Sequence, residues 1–160
     1  MNRNNEVIKS YNLLNTNSKI DFIRNFSDTL NLELAEFFLS VIKDSSEDEV
    51  LRIEVVKILG LYKGDYNDDF IKKELLCLLN SDEDDELKVY LINTLSLMTI
   101  NESDIKFFLS IINGSYYILV KEAAFSLIVD HKGLSSANNA LQTLLQDKNF
   151  GRSAKRELGL

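Results

Sequence analysis

DSSEDEVLRIEVVKILG at residues 44–60 and NSDEDDELKVYLINTLS at residues 80–96 match without a gap at an offset of 36. Leu51 meets Leu87, Arg52 meets Lys88, Ile53 meets Val89, Val55 meets Leu91 and Leu59 meets Leu95. The acidic lead-ins correspond as well. In both stretches the apolar residues recur at three- and four-residue steps, the mark of an amphipathic helix. Acids ahead of that pattern fit the positive end of a helix dipole.

Two weaker copies follow. LVKEAAFSLI (119–128) sets Leu119 and Leu127 in the Leu51 and Leu59 positions, and FGRSAKREL (150–158) sets Phe150 and Leu158 there. Successive offsets are then 36, 32 and 31. Another apolar helix precedes each copy, over 34–43, 69–80, 103–113 and 136–147. FFLSVIKD (37–44) and FFLSIING (107–114), nearly identical, belong to the first and third of these. The unit is helix, turn, helix, turn. One such hairpin cannot bury its apolar face alone, whereas stacked copies can.

The expected fold is therefore all-α, an alpha-alpha superhelix of about four helical-hairpin repeats over 33–64, 68–100, 102–133 and 135–158. An N-terminal helical cap over 1–32, with helices at 4–14 and 17–29, completes a single domain of 160 residues. The absence of Pro and a count of only six Gly favour unbroken helices. Gly64 and Gly133 fit helix C-caps.

The second helices resemble those of HEAT repeats, which often read V-R-x-x-A-A-x-A-L. The counterpart here is Leu51-Arg52-Ile53-Glu54-Val55-Val56-Lys57-Ile58-Leu59, with an alanine pair at Ala123–Ala124 and a single alanine at Ala154. The resemblance covers roughly residues 33–158. It departs in lacking the proline often found in the first helix, and in its basic position: Arg52 and Lys88 keep it, Val120 and Gly151 do not, and Lys121 sits one place late. The family implies a protein-binding scaffold more often than an enzyme, and it specifies no ligand.

Net charge is −7, but it is unevenly spread. Residues 44–86 hold 14 acids and 5 bases, and the remainder 11 acids and 13 bases. An acidic middle argues against nucleic-acid binding there, which draws its affinity from Lys and Arg. The start of the chain has no signal-peptide pattern and no apolar run approaches a membrane span. A single cysteine, Cys77, excludes an internal disulfide and suits a cytoplasmic setting.

Little in the sequence carries catalysis or metal binding. His131, the only histidine, lies near a helix end and reads as a cap. Cys77, within an apolar stretch, reads as a small buried thiol. DYNDD (65–69) and SDEDDE (81–86) lack the glycine and distal glutamate of a calcium loop. No catalytic residue, cofactor or metal is expected.

The acidic turns are the sharpest feature. Stacking would line up Asp44, Glu47, Asp48 and Glu49 with Asp82, Glu83, Asp84, Asp85 and Glu86 along one edge. In the third copy Tyr116 and Tyr117 replace the acids. Outward positions of the second helices form two rows, one with Glu54, Tyr90 and Glu122, the other with Lys57, Asn93, Phe125 and Arg156. Tyr90 and Phe125 are candidate anchors, since aromatic residues are favoured at binding hot spots. Capping and solubility explain part of the acidity. Beyond that, the edge fits docking of a protein with a basic surface. The concrete expectation is a non-catalytic interaction module, most specifically a bacterial immunity or inhibitor protein that neutralises a basic, nuclease-type toxin. A structural adaptor or assembly subunit is the alternative. A DNA glycosylase of HEAT-like build is a weaker third, because it would need a basic groove. The terminal bases Lys148, Arg152, Lys155 and Arg156 read as the solvated face of the last repeat.

Overall fold

The structure, a computed structural model, describes every residue except Met1 and Asp82. The described residues form ten helices and no strand. They are α1 (Arg3–Asn12), α2 (Thr16–Arg24), α3 (Leu32–Lys43), α4 (Glu49–Leu61), α5 (Asp69–Leu79), α6 (Asp85–Leu97), α7 (Glu102–Asn113), α8 (Ile118–Asp130), α9 (Ser135–Thr143) and α10 (Gly151–Glu157). The chain divides into two compact units, Met1–Met98 and Thr99–Leu160.

In the first unit α3 packs on α4 and α5 on α6, with α4 against α6 and α3 against α5. Leu51, Val55 and Leu59 of α4 and Leu87, Leu91 and Leu95 of α6 are fully buried, as the gapless sequence match requires. The two helices approach closely because Gly60 has no side chain. A Cβ there would lie 3.1 Å from Leu97 Cδ1 and 3.2 Å from Thr94. Buried Thr94 Oγ1 donates to the Val56 carbonyl at 3.0 Å, so the helix face carries no orphan hydroxyl.

Helices α1 and α2 lie against α3 and α4 respectively. Tyr11 seats its ring edge-on to Phe22 and Phe37, at centroid distances of 5.9 and 5.4 Å. Buried Asn4 and exposed Asn31 exchange side-chain amide hydrogen bonds of 2.9 and 3.0 Å. Asn31 also caps α3 by accepting from Leu34 N. Helix α2 ends at Arg24, short of the expected 29. The Asn25 amide bonds back to the Asp21 carbonyl, and the Phe26 carbonyl is taken by the Tyr62 hydroxyl at 2.9 Å.

In the second unit α7 packs on α8 and α9, and α9 on α8 and α10. A reciprocal capping box between Asn101 and Asp104 starts α7. Helix α9 stops at Thr143 rather than 147. Asp147 then accepts from the amides of Asn149 and Phe150 and turns the chain toward α10. Gly151 is required at that junction, because a Cβ would sit 2.5 Å from the Leu145 carbonyl oxygen.

Burial corrects the register of the third copy. Val120 is fully buried and Leu119 is 49% exposed, so Val120, not Leu119, occupies the first core position of α8. A basic residue then follows that position in the first three second helices, as Arg52, Lys88 and Lys121, but not in the fourth, where Gly151 follows Phe150. Accordingly, Val120→Ala is expected to cost about 1–3 kcal/mol and Leu119→Ala under about 0.5 kcal/mol in urea denaturation. Equal costs would contradict this register.

Three other expectations change. Cys77 is exposed, because α5 buries Ile71, Leu75 and Leu79 and Cys77 faces the opposite way. Gly64 and Gly133 are not C-caps. Tyr62 and His131 end α4 and α8, and among the described residues only Gly159 has positive φ. His131 keeps its capping role, with Nδ1 2.8 Å from the Leu127 carbonyl oxygen. No helix among the described residues is long and apolar enough to cross a membrane.

Candidate functional site

The acidic edge grows from the turns that start α4 and α6. Leaving α3, the chain turns at Asp44, whose carboxylate accepts from Ser46 Oγ at 2.6 Å and Ser46 N at 3.0 Å. Those bonds hold the Asp44 carboxyl below the ordinary aspartate range. Asp48 caps α4, accepting from Leu51 N at 3.1 Å. Asp84 caps α6, accepting from Glu86 N at 2.8 Å. Asp85 and Glu86 stand exposed in the first turn of α6.

The two turns come together. Partial desolvation raises the Glu49 carboxyl, and so does its hydrogen bond with Asp84, supported by the charges of Asp84 and Glu86. Neighbouring carboxylates resist ionising together, so one retains a proton to higher pH. That proton favours the folded state: its contribution is complete below the ordinary glutamate range and is lost as pH rises through the raised midpoint. In an NMR titration Glu49 is expected to lose its proton at higher pH than an ordinary glutamate. Asp84→Asn, which preserves the cap, should bring that midpoint down. An unchanged midpoint would show that Asp84 is not the cause.

Beneath the carboxylates lies Arg52, only 5% exposed. Its Nε donates to the Ile42 carbonyl at 2.8 Å, and its Nη1 pairs with Glu83 at 3.0 Å. The guanidinium thus ties the end of α3 to the second acidic turn. Its Nη2 is buried without a partner. Glu47, on the far side of the first turn, lies 3.9 Å from Lys19. Lys19 also sits over the Tyr11 ring at 5.1 Å. Burial, and then the charge of Glu47, push the Tyr11 hydroxyl up to about 12.

The nine carboxylates therefore differ in role. Asp48 and Asp84 are caps, Glu83 is committed to Arg52, Asp44 to Ser46, and Glu47 faces Lys19. Asp85 and Glu86, with the Glu49–Asp84 pair, present charge outward. Asp82 lies outside the described residues. Tyr90 is half-buried beneath Lys57, whose Nζ is 4.9 Å from the ring centre, so this candidate anchor already holds a cation. In the second unit Tyr117 is 53% exposed just before α8, and Tyr116 is half-buried beside Gly114. Phe125 is half-buried and stacks on Phe150 at 5.1 Å.

The part sequence reading missed is Arg52. It appeared as one rung of a basic ladder, whereas the fold makes it a buried cation at the junction of both acidic turns. A lone arginine among Leu51, Ile53 and Val55, 31 residues before Glu83, was the available signal. Among the described residues no trio of His, Cys, Asp or Glu is arranged to hold a metal ion. The edge can attract and orient a cationic group. No protein-family model, characterised protein or solved structure matches the chain.

Proposed function

We propose that this chain is a protein-binding solenoid of HEAT-like helical hairpins and that the acidic edge of its first unit docks a basic partner. The concrete version is an immunity or inhibitor protein that covers the cationic active-site cleft of a nuclease-type toxin. The observation that carries it is the Glu49–Asp84 contact: carboxylates from two successive turns meet at one place. Capping needs one side chain per helix, and Asp48 and Asp84 already serve. Asp85 and Glu86 complement the α6 dipole, but they are exposed and add charge beyond what the cap needs. A field of one sign accelerates encounter with an oppositely charged partner and sets its orientation. The paired helices and the basic residue that follows the first core position in three of the four second helices support the HEAT-like reading.

The structure selects the variants for a test. Glu83 and Asp84 serve the fold, so reversing them confounds binding with stability. Asp85→Lys combined with Glu86→Lys changes only exposed side chains, and a urea midpoint measured beside the affinity accounts for the cations it places at the start of α6. Against a basic toxin domain encoded beside this chain's gene, affinity is expected to fall with salt and to drop at least tenfold in the double variant. Unchanged affinity would end the docking assignment. Stable membership of a larger assembly with no toxin nearby would favour an adaptor or assembly subunit.

A further inference from the structure

The second unit contains a groove that the acidic edge does not use. It is about 430 Å³ in volume and runs between α8 and α10. Two contacts define its direction. Phe125 stacks face to face on Phe150, with ring centres 5.1 Å apart and planes 21° from parallel. Lys132 Nζ pairs with Glu157 at 3.0 Å. Both contacts join residues 25 apart, so the two segments run in the same direction, with the phenyl pair toward the start and the ion pair at the end.

The phenyl pair forms the apolar floor. Glu122 lines the groove one turn before Phe125, and Arg156 lines it near the far end. Neither side chain has an ion-pair or hydrogen-bond partner among the described residues, whereas Glu157 is held by Lys132 and Asp130 is also engaged. The open groove thus offers a free carboxylate at one end and a free guanidinium at the other. With α10 in register, these residues are nine helical steps apart, about 13 Å along the axis.

We infer that this groove binds an extended segment of another protein, one that carries a basic, an apolar and an acidic residue at alternate positions. In an extended chain, residues i, i+2 and i+4 face one side, and four steps of about 3.3 Å span about 13 Å. The basic side chain meets Glu122, the apolar one rests on Phe125 and Phe150, and the acidic one meets Arg156. Ser126 and Ser153 lie on opposite walls, where hydroxyls can bond the segment's backbone. The occupant is set by charge complementarity: a purely basic segment would leave Arg156 facing like charge, and a purely acidic one would do the same at Glu122. The groove belongs to the second unit, whereas the residues of the acidic edge all belong to the first.

The test is an NMR titration of the full chain with blocked peptides. Acetyl-Lys-Ser-Leu-Ser-Glu-amide is expected to give saturable shifts at Ser126 and Ser153. Glu122→Gln or Arg156→Gln should weaken it about two- to fivefold. Ser153→Trp, which fills the groove, should abolish it, and Ser126→Trp serves if that variant does not fold. The order variant acetyl-Lys-Leu-Ser-Ser-Glu-amide, with leucine facing the other way, should bind more weakly than the parent. Three results would overturn the assignment: no saturable shifts, equal binding of acetyl-Lys-Ser-Leu-Ser-Lys-amide (general attraction to an acidic protein), or the same shifts from free leucine.

Discussion

Arg52→Ala is expected to lower the stability of the first unit by about 3–5 kcal/mol, read as a fall in the urea midpoint. The change removes a guanidinium that is 5% exposed and strands two acceptors, the Ile42 carbonyl and the Glu83 carboxylate. Breaking one side of a buried ion pair is costly because the remaining charge keeps its desolvation penalty and loses its compensation. Arg52 itself is imperfectly satisfied, since Nη2 has no partner. Replacing both members by apolar residues, Arg52→Met with Glu83→Leu, should therefore cost less than Arg52→Ala alone. A single-variant cost below about 1 kcal/mol would mean that the pair does not hold the turn.

Leu91→Ala is expected to cost about 2–5 kcal/mol. Leu91 is fully buried in the middle of α6, which packs on both α4 and α5, so truncation leaves a cavity that several helices would have to close. Leu61, 72% exposed at the end of α4, is the control, and Leu61→Ala should change stability by under about 0.5 kcal/mol. A near-zero effect at Leu91 would remove α6 from the core. The two sites probe different physics, since Arg52 reports compensation of a buried charge and Leu91 reports packing.

Both positions were visible before the fold was known, though not equally well. Leu91 sits in a gapless match with Val55, and helical periodicity alone identifies it as core. Arg52 reads from sequence only as the occupant of a basic position in the repeat, and nothing there marks it as buried. Its burial comes from Glu83 and the end of α3 meeting at the same point. The third copy shows a related limit. An apolar run such as Ile118-Leu119-Val120 accepts either of two registers, and neighbouring helices choose Val120. Cys77 shows a different one: it falls on the exposed stripe of α5 marked by Asp69 and Lys73, eight and four residues earlier, which the apolar stretch ELLCLL taken alone does not reveal.

The amino-acid order by itself determined the all-helical class, the order and approximate bounds of the helices, and the two acidic turns. These follow from local physics: periodicity, capping residues and the scarcity of chain breakers act over one or two turns. Only the tertiary structure decided which carboxylates are caps, which one answers Arg52, that Glu49 meets Asp84, and that Phe125 and Phe150 floor a groove between Glu122 and Arg156. Apart from the caps, which act over two or three residues, those relations join residues about 25 to 35 positions apart along the chain. Their energies depend on distance and exclusion of water, which no single stretch of sequence contains.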